Sequence, residues 1–205
     1  TLQEVPTFKT IANIGRLLFS GFQPVGIFDI GPIGSFYSFN EVEGFRLRFG
    51  GQTNLKFHPK LQLEGYGIYG FRDQKWKYST GLRYSFRENF LENPKHFIRF
   101  AYEHKNQFIG EPLNFIGENN FFLSFKRGDN SRMQLLDSYL AEHVIEFDNN
   151  FSVRTYFNHI NRKPVGNFAF DYFNEETGEP DSFAEVKTSE FGVKLRFAPN
   201  EQYIQ

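Results

Sequence analysis

The side chains of this sequence most suited to metal binding or proton transfer are its five histidines. They are His58, His96, His104, His143 and His159. None belongs to a metal-ligand motif. His96 and His104 would share a strand face, but eight residues separate them by about 26 Å, which is too far for one ion. We therefore expect surface or interface histidines, with no metal and no other cofactor.

Other signatures of chemistry are absent from the sequence. It has no G-x-S-x-G nucleophile motif and no phosphate-binding loop. With 0 cysteines it has no disulfide framework and no thiolate metal site. The net charge of -1 argues against nucleic-acid binding, which normally requires a basic excess. We expect a protein that is not an enzyme, although Ser, His and Asp from different strands could still assemble a site.

Charged residues that alternate with aromatic ones are the second candidate group. Arg46, Arg48, Glu64 and Arg83 are predicted to form a charge network inside a barrel, because charges removed from bulk water need partners. In a regular strand Glu43 and Arg46 would lie on opposite faces, so we expect Arg46 to pair with Glu64 or Arg83. The alternative is that these residues are solvated on the wall of a water-filled barrel.

The stretch Leu61 to Arg87 must position most of these charges. It predicts two long strands joined by a turn at Arg72-Asp73-Gln74. In the second arm aromatic and apolar side chains alternate with cationic and small ones, which is the period of a strand. Asp73, Trp76 and Lys77 are predicted to anchor this turn at a membrane interface rather than to bind a ligand.

Composition favours strands throughout the chain. Of its 205 residues 19% are aromatic, and such residues suit a pleated surface. Mean hydropathy is -0.50, and no run approaches the roughly 18–20 apolar residues of a membrane helix. A transmembrane strand needs only about ten residues, of which half face lipid. A membrane barrel is therefore compatible with this hydropathy.

Strand and turn signals predict an all-β fold of about eight to ten strands. We expect an antiparallel up-and-down barrel of the transmembrane type, or part of one, over residues 37–205. Residues 1–36 are predicted to be a lead-in, with a short helix or irregular segment followed by an edge strand. Leu135 to Phe147 fits a strand better than a helix. A change of alternation predicts a β-bulge near Glu190.

The aromatic faces have two possible surroundings. Small and charged residues opposite the aromatic ones fit the polar interior of a barrel whose outside meets lipid. Aromatic residues near strand ends fit interface girdles; they are Trp76, Tyr78, Phe86, Tyr102, Phe151 and Tyr172. The alternative is a soluble, secreted barrel or sandwich with an aromatic core that binds a lipid or glycan. Alternation by itself does not separate the two.

Two stretches, YSFNEVEGFRLRFGGQTN (Tyr37 to Asn54) and LQLEGYGIYGFRDQKWKYSTGLRYSF (Leu61 to Phe86), carry a family resemblance. They resemble a family of uncharacterised Gram-negative outer-membrane proteins. In that family a carboxypeptidase-regulatory-like domain precedes a barrel related to the outer-membrane assembly-factor and surface-antigen superfamily. The matching residues are Phe39-Asn40, Val42-Glu43-Gly44, Arg46, Gly50-Gly51, Thr53-Asn54, Tyr69-Gly70, Asp73 and Trp76-Lys77-Tyr78. Phe39 departs from the family pattern, which has Tyr.

The resemblance implies a location and a role. It covers most of this chain but only part of the family's length, so we expect the chain to be part of a longer protein. It implies a bacterial outer-membrane scaffold that helps to translocate or insert proteins or other substrates. The expected partners are the lipid bilayer and other outer-membrane or periplasmic proteins, and not nucleic acid.

Overall fold

The computed structural model describes residues 21–109 and 132–199, and in these ranges the protein is all-β. None of its helices is long and apolar enough to cross a membrane within these two ranges. Among the described residues a 3-10 turn covers Ile33–Ser35. The strands are β1 (Gln23–Val25), β2 (Phe28–Ile30), β3 (Tyr37–Asn40), β4 (Gly44–Thr53), β5 (Leu61–Gly70), β6 (Trp76–Ser85), β7 (His96–Phe108), β8 (Met133–Glu146), β9 (Phe151–Val165), β10 (Phe170–Asn174), β11 (Glu179–Phe183) and β12 (Val186–Phe197).

Ten of these strands form one antiparallel sheet. Its order is β1-β2-β4-β5-β6-β7-β8-β9-β12, with β3 paired to the start of β4. From β4 to β9 each strand pairs with the next one in sequence, which is the up-and-down connectivity expected from the hairpin signals. Over the described residues the sheet stays open, with β1 and β12 at its two edges. The fold is thus an antiparallel sheet that corresponds to a partial barrel.

The central hairpin and the two strands after it agree with the sequence. β5 and β6 pair from Leu61 opposite Tyr84 to Tyr69 opposite Trp76. β8 is a strand and not a helix, and the turn at 147–150 joins it to β9. Residues 23–30, which were assigned to the lead-in, extend the sheet because β2 pairs with β4. The short helix predicted for the lead-in falls on residues 7–21, and the alternation of Phe121, Leu123 and Phe125 predicts a further strand. Both stretches lie outside the described residues, except for Gly21.

Three local predictions are wrong. The Gly-rich stretch 50–54 predicts a turn, but Gly50 to Thr53 continue β4. Gly50 lets Tyr66 of β5 approach so closely that a Cβ would lie 2.6 Å from the Tyr66 Cβ. The polar stretch from Asn174 to Ser182 predicts a loop, but residues 179–182 belong to β11, which pairs with β10 through a turn ending at Gly178, φ +71°. There is no bulge near Glu190, since β12 pairs with β9 without interruption from Val186 to Phe197.

Burial divides the sheet into two unlike faces. The inner face carries buried charged and amide side chains, among them Lys77, Arg99 and Glu103. The outer face carries exposed large apolar side chains, among them Trp76 and Phe100. A water-soluble core has the opposite arrangement, in which aromatic residues are buried and charges are solvated. The sheet therefore encloses its polar side.

Candidate functional site

The first part of the candidate site is a compact charge cluster at the turn between β3 and β4. The side chain of Asn40 donates a hydrogen bond to Glu43 Oε2 at 2.6 Å, while its own Oδ1 accepts from the backbone N–H of Glu43 at 2.7 Å. Arg46 Nη1 reaches the same Glu43 oxygen at 2.9 Å. Lys77 Nζ lies 2.9 Å from Glu43 Oε1 and is also paired with Asp73. Two carboxylates thus neutralise two cations within this cluster.

The Glu43–Arg46 pair corrects the expectation that Arg46 would pair with Glu64 or Arg83. The expectation treated Glu43 as part of a regular strand. Glu43 instead lies in the turn before β4, where Gly44 adopts φ +67°, so its carboxylate can point inward beside Arg46. Burial would raise the pKa of Glu43, but the charges of Arg46 and Lys77 and the hydrogen bonds from Lys77 and Asn40 outweigh it and hold that pKa below its usual range.

A second cluster lies on the inner face among β5, β7, β8 and β9. Arg99 on β7 donates from Nε to Glu64 Oε1 at 2.9 Å and from Nη1 to Glu142 Oε1 at 3.4 Å. Arg154 on β9 approaches Glu142 Oε2 at 2.7 Å. Since β5, β7, β8 and β9 each contribute a member, these ion pairs connect strands across most of the sheet's width. Charges with several partners of this kind hold side chains in one arrangement.

A third set of contacts links β4, β5 and β7 on the inner face. The Arg48 guanidinium lies over the Tyr66 ring, 4.2 Å from its centroid, and donates to Ser35 Oγ at 2.5 Å. The Tyr66 hydroxyl donates to Glu103 Oε1 at 3.4 Å. Glu103 is also paired with Lys105 at 3.2 Å. Aromatic and charged groups therefore alternate through this part of the wall, with cation–π contact added to ion pairing.

The four predicted network residues all lie on the inner face, but they do not contact one another. Arg46 pairs with Glu43, Glu64 with Arg99, and Arg48 with Tyr66 and Ser35. Arg83 donates to Gln62 Oε1 at 3.3 Å and lies 4.7 Å from the Phe97 ring centroid. The partners that the sequence did not predict include Glu142. Its strand, β8, shows a less clean alternation of apolar and polar residues than the other strands. The alternation of Arg99, Glu103 and Lys105 opposite Ile98, Phe100 and Tyr102 was the signal that could have extended the network.

The predicted anchor residues divide between the two faces. Asp73 and Lys77 form an ion pair on the inner side of the β5–β6 turn. Trp76 lies on the outer face, where its ring is 5.2 Å from that of Tyr69. Their role at a membrane interface stays a prediction; what the structure brings together is the Asp73–Lys77 pair.

Aromatic rings form two groups on the outer face. In the first, Tyr102 and Tyr139 lie at the middle of β7 and β8 with their rings 4.7 Å apart, and Tyr78 near the start of β6 lies 5.8 Å from Tyr102. In the second, Phe86, directly after β6, lies against Tyr84, with ring centroids 5.6 Å apart. Between the two groups the outer face carries smaller and aliphatic residues together with Phe100 and Phe157. A shallow groove of about 540 Å³ lies in this region. The residues around it include Leu63, Thr80, Leu82, Phe100, Ala141 and Phe157. The predicted girdle residue Tyr172 lies apart from these groups, in the β10–β11 hairpin.

The histidines of the strands lie on the outer face. His104 Nδ1 contacts Asp137 Oδ1 at 2.6 Å, and Tyr102 donates to the same oxygen at 3.1 Å. His159 Nδ1 contacts Ser189 Oγ at 2.8 Å. Within residues 21–109 and 132–199, no three His, Asp or Glu side chains are grouped so that they could hold a metal ion. His96 and His104 belong to separate contacts, as their spacing predicted.

Comparison with known proteins adds no identification. No protein-family model matches the sequence, and neither the curated proteins nor the solved structures contain a match.

Proposed function

We propose that this chain is part of an outer-membrane β-barrel and serves as a non-enzymatic scaffold. The observation that carries the proposal is the inversion of the two faces. Arg99 is 4% exposed and ion-paired on the inner face, whereas its neighbour Phe100 is 53% exposed on the outer face. A lipid-facing surface and a polar interior require this arrangement.

The extent of the apolar outer face supports a lipid surrounding. A half-exposed aromatic side chain presents on the order of 100 Å². Exposed rings occur on the outer face of β4, β6, β7, β8, β9 and β12; they include Phe45, Phe49, Trp76, Tyr78, Tyr84, Phe100, Tyr139, Phe157 and Phe191. Nine such rings amount to about 900 Å², more than the few hundred Å² of the largest apolar patch on a typical soluble monomer. Lipid removes this surface from water.

The height of the apolar band also supports the proposal. On β7 the polar outer residues His96 and His104 bracket Ile98, Phe100 and Tyr102. Eight residues extend about 26 Å along a strand. At the usual tilt of transmembrane strands this covers about 20 Å of membrane thickness, close to the apolar band of about 25 Å in outer-membrane barrels.

The edges of the sheet add a requirement. An unpaired strand edge is not tolerated in the hydrocarbon region, because its N–H and C=O groups lack partners there. In the membrane both edge strands, β1 and β12, must therefore be paired, so that the sheet closes. The inner ion pairs would then stiffen one wall of the closed barrel.

The proposed role in translocation or insertion follows the superfamily resemblance. The partners would be the lipid bilayer and other outer-membrane or periplasmic proteins. The inner face suits a scaffold, since its cations and carboxylates are largely paired with each other.

Fractionation of cells that express the full-length protein tests the membrane proposal. We expect it to remain in carbonate-washed outer membranes and to migrate differently on a gel before and after heating. Release into the soluble fraction, with no heat-dependent shift, would reject it. The shallow outer groove beside Phe100 would then be the first place to look for a bound lipid or glycan in a soluble protein.

A further inference from the structure

Two histidines that lie far apart in sequence meet on the outer face. His96 is the first residue of β7 and lies opposite Ile145, while His143 on β8 lies opposite Ile98. The two rings are therefore diagonal neighbours on adjacent strands. Their Nε2 atoms lie 3.2 Å apart, and the ring centroids lie 5.3 Å apart. Both side chains are partly exposed, so solvent reaches them.

We propose that His96 and His143 form a binding site for a divalent transition-metal ion. A zinc ion holds histidine nitrogens at about 2.0–2.1 Å in tetrahedral geometry, which sets two such nitrogens about 3.3 Å apart. The observed 3.2 Å separation is close to that spacing, so a rotation of the rings that turns both lone pairs toward one point would bind an ion between them. Water molecules would complete the coordination, because the site offers two protein ligands.

The surroundings fix the rings in this arrangement. The Phe86 ring lies 4.6 Å from the His96 ring and meets the His143 ring edge-on at 6.4 Å. Aromatic contacts of this kind restrict the orientation of an imidazole. The two imidazoles are thus held by β7, β8 and Phe86, which directly follows β6, and the site is less adjustable than a pair of freely rotating surface histidines.

The charged groups nearby are engaged elsewhere. Arg87, whose charge acts on His96, donates from Nε to the carbonyl of Pro94 at 3.0 Å. Glu146 Oε2 accepts from the backbone N–H of Lys95 at 2.7 Å, and the Lys95 ammonium donates to the Leu91 carbonyl at 2.6 Å. The protein ligands are therefore the two imidazoles, and imidazole favours zinc, copper and nickel over magnesium and calcium.

Zinc titration of the refolded full chain tests the site. We expect calorimetry to show one zinc ion per chain, with no binding of magnesium. Replacing either histidine, as His96→Ala or His143→Ala, should weaken zinc binding by at least about tenfold, since each change removes half of the protein ligands. His159→Ala is the matched control, because that imidazole also lies on the outer face but pairs with Ser189.

The conservative variants His96→Gln and His143→Gln separate ligand loss from misfolding, and circular dichroism monitors the strands. If the wild-type chain does not bind zinc at millimolar concentration, or if both single variants bind it as the wild type does, the two rings form a hydrogen-bonded pair and the site does not exist. This result is independent of where the protein resides.

Discussion

Trp76 and Lys77 are adjacent in sequence and lie in opposite environments. The Trp76 side chain is on the outer face of β6 and is 62% exposed, while Lys77 is on the inner face and is 1% exposed. The ammonium is removed from solvent only because Glu43 and Asp73 surround it. One step along a strand thus exchanges an exposed apolar surface for an enclosed charge cluster.

Replacing Lys77 with methionine should unfold the chain more easily. Lys77→Met keeps the apolar stem but leaves two carboxylates without their shared cation. Breaking a buried ion pair in this way costs about 3–5 kcal/mol. We expect the denaturant midpoint to fall accordingly. Lys75→Met is the control: its side chain is exposed in the same turn, so a change of at most about 0.5 kcal/mol is expected. Equal effects of the two changes would contradict the role of the cluster.

Stability should depend on pH through Glu43. Its pKa in the folded chain lies below the usual range, against an ordinary value of about 4.3 for the unfolded chain. The unfolded chain therefore binds the proton first as the pH falls. The stabilisation by Glu43 is complete above the ordinary value and is lost as the pH drops through the lowered folded value.

The measurement for this prediction is the unfolding midpoint as a function of pH. Between neutral pH and about pH 3, the wild type should lose more stability than Glu43→Gln, which cannot ionise. The other charges at this site, on Arg46, Lys77 and Asp73, are present in both proteins. Identical pH profiles would show that Glu43 does not contribute.

Strand alternation explains how much of the fold was predictable. The period of two in β6 identified its two faces correctly, and the hairpin joining β8 to β9 followed from a polar turn between two apolar arms. Alternation is a local property, so it does not depend on distant residues. The strand β11 was missed because its sequence, EPDSF, is polar and exposed.

Partner identity could not be read from alternation. Glu43 and Arg46 meet because a turn changes the direction of one side chain, and Arg99 meets Glu64 across an intervening strand. His96 and His143 are brought together by the register of β7 against β8. Register follows from the packing of all strands, so a single sequence indicates which face a residue occupies but not which residue it contacts.

Gly70 lies against the charge cluster of Glu43, Asp73 and Lys77, and this contact gives the third prediction. A Cβ on Gly70 would lie 3.0 Å from the Glu43 Cβ and 3.1 Å from Lys77 Nζ, and it would overlap the Asp73 carboxylate. Gly70→Ala should therefore displace members of the charge cluster and destabilise the chain by about 1–3 kcal/mol, as overpacking usually does.

Gly67→Ala is the matched control on the same strand. A Cβ there meets no atom closer than 3.7 Å, and it lies on the outer face beside Trp76. It should be neutral or should stabilise slightly by restricting the unfolded chain. Denaturant unfolding of both variants gives the comparison. If Gly70→Ala is as stable as Gly67→Ala, the cluster is not tightly packed around that glycine.

Phe100→Arg distinguishes a lipid-facing surface from a water-facing one. Phe100 lies midway between His96 and His104 on the outer face of β7, which places it near the midplane of the proposed bilayer. An arginine there should cost about 2–4 kcal/mol in a bilayer, whereas at an exposed site in water the change should stay within about 0.5 kcal/mol. Phe173→Arg, in the exposed β10–β11 hairpin outside the large sheet, should be neutral in either case. Folding into lipid vesicles, followed by denaturant titration, measures both variants. A Phe100→Arg chain as stable as Phe173→Arg would mean that the aromatic face meets water, and the membrane proposal would fail on the residue where it predicts the largest effect.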